Sequence, residues 1–328
     1  MYAVSYHDTF ADLQAPDYRG RGPFDSIEWY ALVEKHGTSP LIVELREDGN
    51  SIALSLQPTD QGLGAMRHPF AFTWRPLALS GAVSDASLEG MARELRGRSH
   101  RVVLDQIDDC DEVGERLARA FRRAGWIARL EATGESHQLC VGGRSFAEYW
   151  AERPGPLRTT LKRKAKKVDV EILEAFDPAI WTEYQNVYAR SWKDKEKDIL
   201  LLEEFARHES KGGRLRLGIA RHEGRAVAAQ LWTMENGVAY IHKLSYDEEF
   251  AKLSAGTTLS AAMFEQAIDR DRVERVDFGT GSDSYKRDWM EEIRPTYTLT
   301  CIDWRQWRGV RHIARHAFAR LARPLRQG

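Results

Sequence analysis

The fold is decided by residues 215–289, which read LRLGIARHEGRAVAAQLWTMENGVAYIHKLSYDEEFAKLSAGTTLSAAMFEQAIDRDRVERVDFGTGSDSYKRDW. Runs of aliphatic, β-branched and aromatic residues alternate here with short polar turns, as in neighbouring strands of a sheet. The dipeptide Asn236-Gly237 predicts a tight hairpin, because both central positions of such a turn need a positive φ. The pattern predicts strands at 215–221, 226–232, 239–246 and 275–278, with a helix between the last two.

The predicted helix begins in a loop of small residues, Ser254-Ala-Gly-Thr257. A serine at this position can cap the helix, and Gly256 leaves room for a ligand beside the free backbone N–H groups. The N-terminus of a helix attracts anions, since its N–H groups carry a partial positive charge. We therefore expect a phosphate-bearing cofactor at the backbone of Gly256, Thr257 and Thr258.

The composition of the whole chain predicts a soluble, globular protein. It has 328 residues, 42% hydrophobic and 30% charged, and a net charge of -1, so we expect no nucleic-acid partner. Its three cysteines, Cys110, Cys140 and Cys301, are too few and too far apart for a disulfide framework or a zinc site, so no metal is expected. No signal peptide or membrane-spanning run is evident, which favours a cytoplasmic location.

The first half of the sequence repeats the order of the second. Residues 41–56 form a strand, polar turn and strand like 215–232, and 101–107 corresponds to 273–278. We predict an α/β (α+β) fold of two tandem units, each a mixed, mostly antiparallel sheet flanked by helices. The alternative is one large mixed sheet without duplication. The expected domains are 1–142, 143–303 and a C-terminal helix at 304–328.

Each expected domain has its own predicted role. The first lacks a small-residue helix start, so we expect it to be a degenerate copy that forms a wall for the acceptor. The second is the expected catalytic domain. The helix at 304–328 contains seven arginines and two tryptophans from Trp304 to Arg326, so it either binds an anionic membrane surface peripherally or docks on the protein.

A second basic segment runs from Leu157 to Val168. Leu157, Leu161 and Val168 share one helix face, and Arg158, Lys162, Arg163, Lys166 and Lys167 cover much of the remainder. This helix either presents a solvated basic surface or contacts a phosphate group near the site.

The second half resembles the GNAT acyltransferase superfamily, in its tandem-domain branch with CelD-like and Fem-type proteins and bacterial ceramide synthases. The matching segments are Leu157–Lys164, Ala228–Gln230, His242-Lys243, Ala251–Gly256, Asp277–Gly281 and Tyr285–Trp289. One departure is the pyrophosphate loop, which retains a single glycine in Lys252–Thr257. The resemblance implies tandem GNAT-like domains and an N-acyltransferase that uses acyl-CoA, or an acyl carrier protein, as donor. The implied acceptor is a small or lipid primary amine, such as a sphingoid base.

Three residues are predicted to carry the chemistry of acyl transfer. His242 is the candidate base, because an imidazole titrates near neutral pH, or it is an ordinary core histidine. Asp277 either orients His242, binds the acceptor ammonium, or closes the loop at Gly279. Tyr285 is the candidate acid for the leaving thiolate, or it packs against Trp289.

Binding roles are predicted for nine further residues. The expected cofactor-binding residues are Ser254, Gly256, Thr257, Thr258 and Lys286, and the expected substrate-binding residues are Gln230, Lys243, Trp192 and Arg158.

Three other functions remain open from the sequence. A Fem-type enzyme would transfer an aminoacyl group from tRNA to a peptidoglycan precursor. A non-catalytic accessory protein of polysaccharide export would use the same fold for binding. A nucleic-acid-binding protein would use the basic helix at Leu157.

Overall fold

The computed structural model describes residues 2–13, 20–193, 197–281 and 283–306. The strands are β1 (Ala3–His7), β2 (Leu41–Glu47), β3 (Asn50–Thr59), β4 (Gly62–Ala65), β5 (Leu77–Ser80), β6 (Arg101–Ile107), β7 (Ile127–Cys140), β8 (Asp169–Leu173), β9 (Leu215–His222), β10 (Arg225–Glu235), β11 (Val238–Tyr246), β12 (Arg275–Thr280) and β13 (Glu292–Ile302). The α-helices are α1 (Ile27–Lys35), α2 (Asp85–Leu95), α3 (Val113–Arg123), α4 (Phe146–Ala151), α5 (Gly155–Lys164), α6 (Pro178–Ala189), α7 (Ile199–Lys211) and α8 (Ala255–Glu265).

The described residues form two compact units, one of residues 2–13, 20, 24–134 and 295–306 and one of residues 21–23, 135–193, 197–281 and 283–294. In the first unit, β1 to β4 pair in sequence as antiparallel neighbours, and β5 pairs with β3. β4 then pairs in parallel with β6, and β6 in turn pairs antiparallel with β13. Helix α2 lies on the connection between the two parallel strands, and Leu88, Met91 and Leu95 are its buried aliphatic side chains.

The second unit has the same order of elements. β8, β9, β10 and β11 are antiparallel neighbours, β11 is parallel to β12, and β12 is antiparallel to the end of β7. The β10–β11 hairpin turns at Asn236 and Gly237, whose φ angles of 49° and 75° confirm the predicted positive values. Helix α8 connects the two parallel strands and packs closely on β9. A Cβ atom on Gly218 would lie only 2.6 Å from Met263 Sδ.

The predicted fold class is confirmed, since both units are mixed sheets with flanking helices. The assignment of roles to domains 1–142 and 143–303 stays a prediction. Most of the predicted C-terminal helix lies outside the described residues, which end at Gln306. Within the described ranges, no helix combines the length and the apolar composition needed to span a bilayer.

Candidate functional site

A cleft opens in the second unit where two parallel strands separate. The pairing of β11 with β12 ends at Tyr240 opposite Asp277, although β11 continues to Tyr246. On its other side β11 contains a β-bulge: Leu231 faces Lys243 and Trp232 faces Ile241, so His242 is the extra residue of the bulge. A bulge bends its strand and redirects the side chains around it. The second half of β11 is therefore free to line a ligand site.

Helix α8 begins at this cleft with open backbone donors. Thr258 N–H donates to the carbonyl oxygen of Ser254 at 3.1 Å, which closes the first helical turn. In the part of the chain that the structure describes, the N–H groups of Ala255, Gly256 and Thr257 make no hydrogen bond. Three donors at a helix N-terminus form a site suited to an anion.

Ser254 does not cap this helix, so that prediction is wrong. Its backbone adopts a left-handed conformation with φ 54°, and its side chain accepts no bond from the first turn. The predicted phosphate contact at the backbone N–H of Thr258 is also wrong, because this N–H is already bonded to the carbonyl oxygen of Ser254. The backbone donors available to a ligand are those of residues 255–257.

A lysine from α5 adds positive charge beside these donors. Lys164 Nζ donates to Ser254 Oγ at 2.9 Å. Helix α5 is held in place by Leu157 and Leu161, which pack against the hydrophobic core of the second unit. The ammonium group thus binds the residue that directly precedes the three open N–H groups. There its positive charge strengthens the attraction for a negatively charged ligand.

A pocket of about 480 Å³ extends from the start of α8. Its lining is rich in aromatic residues and includes two carboxylates on the loop after β12. The lining residues are Leu157, Trp192, Leu244, Tyr246, Ala251, Ser254, Ala255, Gly256, Thr257, Ser260, Phe278, Asp283, Tyr285, Asp288 and Trp289. Such a surface suits a ligand with a phosphate group at one end and a mainly apolar body.

Tyr285 is the predicted catalytic residue that lies in this pocket. Its ring meets that of Phe278 edge-on, with the ring centres 5.7 Å apart. Burial, and then the nearby Asp283 carboxylate, raise the pKa of Tyr285 above its ordinary value of 10. The phenol therefore keeps its proton at physiological pH and can donate it.

His242 does not line the pocket. Its Nε2 atom lies 2.7 Å from Thr233 Oγ1, and its ring meets Phe205 of α7 edge-on at 5.0 Å. Desolvation, and then the positive charge of Lys243, lower the pKa of His242 to about 3. The imidazole is therefore neutral at physiological pH and a weak proton acceptor.

Asp277 is also outside the pocket lining and has several donors of its own. It accepts hydrogen bonds from Ser136 Oγ and Gln138 Nε2, each at 3.1 Å, and from the backbone N–H of Gly279 at 2.7 Å. These bonds match the alternative in which Asp277 closes the loop at Gly279.

The predicted binding residues divide into two groups. Ser254, Gly256, Thr257 and Trp192 line the pocket, whereas Thr258, Lys286, Gln230, Lys243 and Arg158 do not. Lys286 is buried and donates to the carbonyl oxygen of Thr280 at 2.6 Å, so it supports the loop after β12. Gln230 is buried and bonds Ser260 and Trp232. Lys243 lies 6.0 Å from the ring centre of Tyr188.

Sequence reasoning missed several residues of the pocket. Leu244 and Tyr246 alternate along β11, and Ser260 lies four residues after Gly256, so strand and helix periodicity could have identified them. Phe278, Asp283 and Asp288 belong to the strand end and loop around Gly279 and Gly281, where no periodic pattern applies.

Comparison with known proteins supports the reading of the fold. Residues 150–287 match a family model described as an acetyltransferase (GNAT) domain. No curated protein matches the chain. The described residues contain no group of three or more His, Cys, Asp and Glu side chains arranged as metal ligands.

Several solved structures share the fold at low sequence identity. FemX is 9% identical, with 86% of this chain and 93% of that chain covered and a TM-score of 0.61. The C-terminal domain of a protein described as a lysylphosphatidylglycerol synthetase, from Agrobacterium fabrum, is 14% identical over 83% and 86% of the two chains, with a TM-score of 0.56. L-PGS from Bacillus licheniformis is 14% identical over 77% and 81%, with a TM-score of 0.55. The chain thus has a GNAT-like fold.

Proposed function

We propose that this protein is an N-acyltransferase that moves an acyl group from a thioester to a primary amine. The observation that carries the proposal is the start of α8, where three open N–H groups line an aromatic pocket and the Lys164 ammonium binds the neighbouring Ser254. A thioester carrier has a phosphate group followed by a long, mostly neutral arm. Its phosphate suits the helix start, and its arm suits the pocket.

The proposed donor is acyl-CoA or the phosphopantetheine arm of an acyl carrier protein. Residues 255–257 and Lys164 would hold the phosphate, and Tyr246, Phe278 and Trp289 offer apolar surface to the arm. The loop has only one glycine, and even a Cβ atom at that position, Gly256, would make only ordinary contact with Tyr246, at 3.4 Å. The loss of the other glycines from the family's loop is therefore compatible with a bound phosphate.

Tyr285 is the proposed general acid. A leaving thiolate needs a proton, and the Tyr285 phenol, which is protonated at physiological pH, lines the pocket where that proton is needed. The amine must also lose a proton. His242 stays the prediction from the sequence, but its neutral imidazole is bonded to Thr233 and has a pKa of about 3. We therefore propose that the amine attacks in its neutral form and that the proton it then loses passes to solvent water, while Tyr285 supplies the proton of the leaving thiol.

The proposed acceptor is a lipid amine such as a sphingoid base. Trp192 is 44% exposed and lies 4.5 Å, ring centre to ring centre, from Tyr246 at the pocket. An exposed tryptophan beside a half-buried tyrosine offers apolar surface to a hydrocarbon chain. The carboxylates of Asp283 and Asp288 are suited to an ammonium head group. A protein of the same fold is named for a lipid product, lysylphosphatidylglycerol. We place the reaction in the cytoplasm, at the inner membrane face.

A Fem-type transferase that uses aminoacyl-tRNA is the second candidate. The similarity to FemX, which covers 93% of that chain, favours it. The net charge of -1 does not, since a polyanion such as tRNA is best bound by a basic surface. A non-catalytic accessory role is the third candidate.

The experiment compares donors directly. Purified protein is incubated with a long-chain acyl-CoA and a sphingoid base, and separately with aminoacyl-tRNA and a peptidoglycan precursor, and products are identified by mass spectrometry. An N-acylated base that the wild-type protein forms about a hundredfold faster than Tyr285→Phe at equal enzyme concentration supports the proposal. Product in the tRNA reaction alone selects the second candidate, and no product in either selects the accessory role.

A further inference from the structure

The amide group of Gln230 is held in one orientation behind the pocket. Its Oε1 atom lies 2.8 Å from Trp232 Nε1, and an indole N–H only donates hydrogen bonds. The atom that faces the indole is therefore the oxygen, and the Nε2 group faces helix α8. Gln230 is 1% exposed, so water offers it no alternative partner.

Ser260 receives a hydrogen bond from this amide. Gln230 Nε2 lies 2.7 Å from Ser260 Oγ, and an amide NH₂ group only donates. Ser260 Oγ is therefore the acceptor, and its own proton must point in another direction. A helical serine often returns that proton to the carbonyl oxygen four residues earlier. For Ser260 that carbonyl belongs to Gly256, and among the described residues Ser260 does not bond to it. Gln230 Nε2 instead approaches the Gly256 carbonyl oxygen, at 3.5 Å.

The direction that remains for the proton is the pocket, which Ser260 lines beside Gly256. We propose that Ser260 is a ligand-binding residue that presents a hydrogen-bond donor to the thioester carrier, and that Gln230 is the positioning residue that fixes this polarity. The inference rests on the proposed function for the identity of the ligand. Since Ser260 lies about one helical turn, or about 5 Å, beyond the open N–H groups, it meets an acceptor atom on the carrier arm, such as an amide carbonyl oxygen, and not the phosphate.

The isosteric substitution Gln230→Glu reverses this polarity. A carboxylate still accepts the bond from Trp232, but it also accepts from Ser260 and draws the hydroxyl proton out of the pocket. We expect the affinity for CoA, measured by calorimetry, to fall about three- to tenfold, the range for one neutral hydrogen bond. Ser260→Ala should lower the affinity by a similar factor.

The double variant Gln230→Glu/Ser260→Ala separates positioning from a structural role. If Gln230 acts through the Ser260 hydroxyl, the double variant binds CoA as well as Ser260→Ala alone. A further loss in the double variant would show that Gln230 acts on the core packing instead, and would overturn the positioning role.

The pH dependence of CoA affinity gives a second test of how Gln230 orients the Ser260 hydroxyl group. The carboxyl group introduced by Gln230→Glu is desolvated, which raises its pKa, and in its protonated form it can again donate to Ser260. We expect the affinity of Gln230→Glu, relative to wild type at each pH, to rise as pH falls from about 9 to about 5. An unchanged ratio would contradict the reversal of polarity.

A neutron structure of the deuterated, ligand-free protein separates this inference from the proposed function. Deuterium on Ser260 Oγ directed away from Gln230 supports the inference, whether or not CoA binds. The hydroxyl deuterium of Ser260 directed at Gln230, in place of an amide deuterium of Gln230 directed at Ser260 Oγ, overturns it. If wild-type protein fails to bind CoA, the donor assignment fails, and the neutron structure still decides the orientation of the hydroxyl group.

Discussion

Helices α2 and α8 occupy the same place in their own units but begin in opposite ways. Each connects two parallel strands, and each follows a serine. Ser84, with φ -94°, caps α2, since its Oγ accepts from Ser87 N–H at 3.0 Å. Ser254, with φ 54°, leaves α8 uncapped, and its Oγ is instead bonded to Lys164.

The difference shows how the same helix position can have its backbone N–H donors capped in one unit and left open in the other. A side-chain cap satisfies a backbone donor within the protein and stabilises the helix. A helix without a cap lacks that stabilisation, and its first N–H groups bond to solvent or to a ligand. In the second unit a lysine stands beside those donors and a pocket opens in front of them. Under the proposed function, ligand binding belongs to α8, and α2 has a structural role.

The strongest test of this assignment removes the proposed acid from the pocket at α8. Tyr285→Phe keeps the ring but loses the hydroxyl group, so we expect turnover to fall about a hundredfold. Because the pKa of Tyr285 lies above 10, its proton should cause no decline of wild-type turnover up to about pH 10. Turnover is followed by product formation at saturating donor. Full activity in Tyr285→Phe would remove the proposed acid.

A smaller effect is expected from closing the helix start of α8. Gly256→Asp places a carboxylate in the first turn, where it competes with a phosphate, and thioester affinity should fall at least tenfold, equivalent to about 1.4 kcal/mol. Gly256→Ala is the matched control, because its Cβ atom has room beside Tyr246 and alanine favours a helix. Equal losses in both variants, by calorimetry, would show that steric contact and not charge is responsible.

His242→Gln should have a weaker effect on turnover. A neutral imidazole of pKa about 3 is a poor base, and glutamine can still bond Thr233, so we expect less than a tenfold loss. The lowered pKa means that folding favours the neutral ring. Its stabilising contribution is complete above pH 6.5 and is lost as pH falls towards about 3. A hundredfold loss of turnover would restore His242 as the base.

The smallest effect concerns the caps themselves. Ser84→Ala removes a capping bond and should lower the free energy of unfolding by about 1 kcal/mol. Ser254→Ala removes no cap and should leave stability almost unchanged while weakening ligand binding through Lys164. Denaturant unfolding of the two variants measures both effects. Similar destabilisation of Ser84→Ala and Ser254→Ala would contradict the claim that only α2 has a serine cap.

The sequence predicted the elements that depend on local chemistry. Asn236-Gly237 specified its hairpin, and Ser254–Thr257 marked the start of a helix, because turn and helix signals lie within a few residues. The cap at Ser254 was wrong because the side chain is engaged by Lys164, which is 90 residues away in sequence. Contacts of that kind have no local signal.

The site was predicted only in part for a similar reason. Regular alternation would put His242 on the same face of β11 as Leu244 and Tyr246, which line the pocket. The bulge at His242 breaks the alternation and places its ring against Phe205. A bulge depends on pairing with β10, which no pattern within β11 reveals.

The most direct test of the central claim observes the backbone donors themselves. In amide proton–nitrogen NMR spectra, addition of CoA should shift the signals of Ala255, Gly256 and Thr257 strongly, and should leave Ser87, the capped amide of α2, in place. That result would show that the open helix start binds the carrier phosphate. Unchanged signals at 255–257 in the presence of bound CoA would contradict the account.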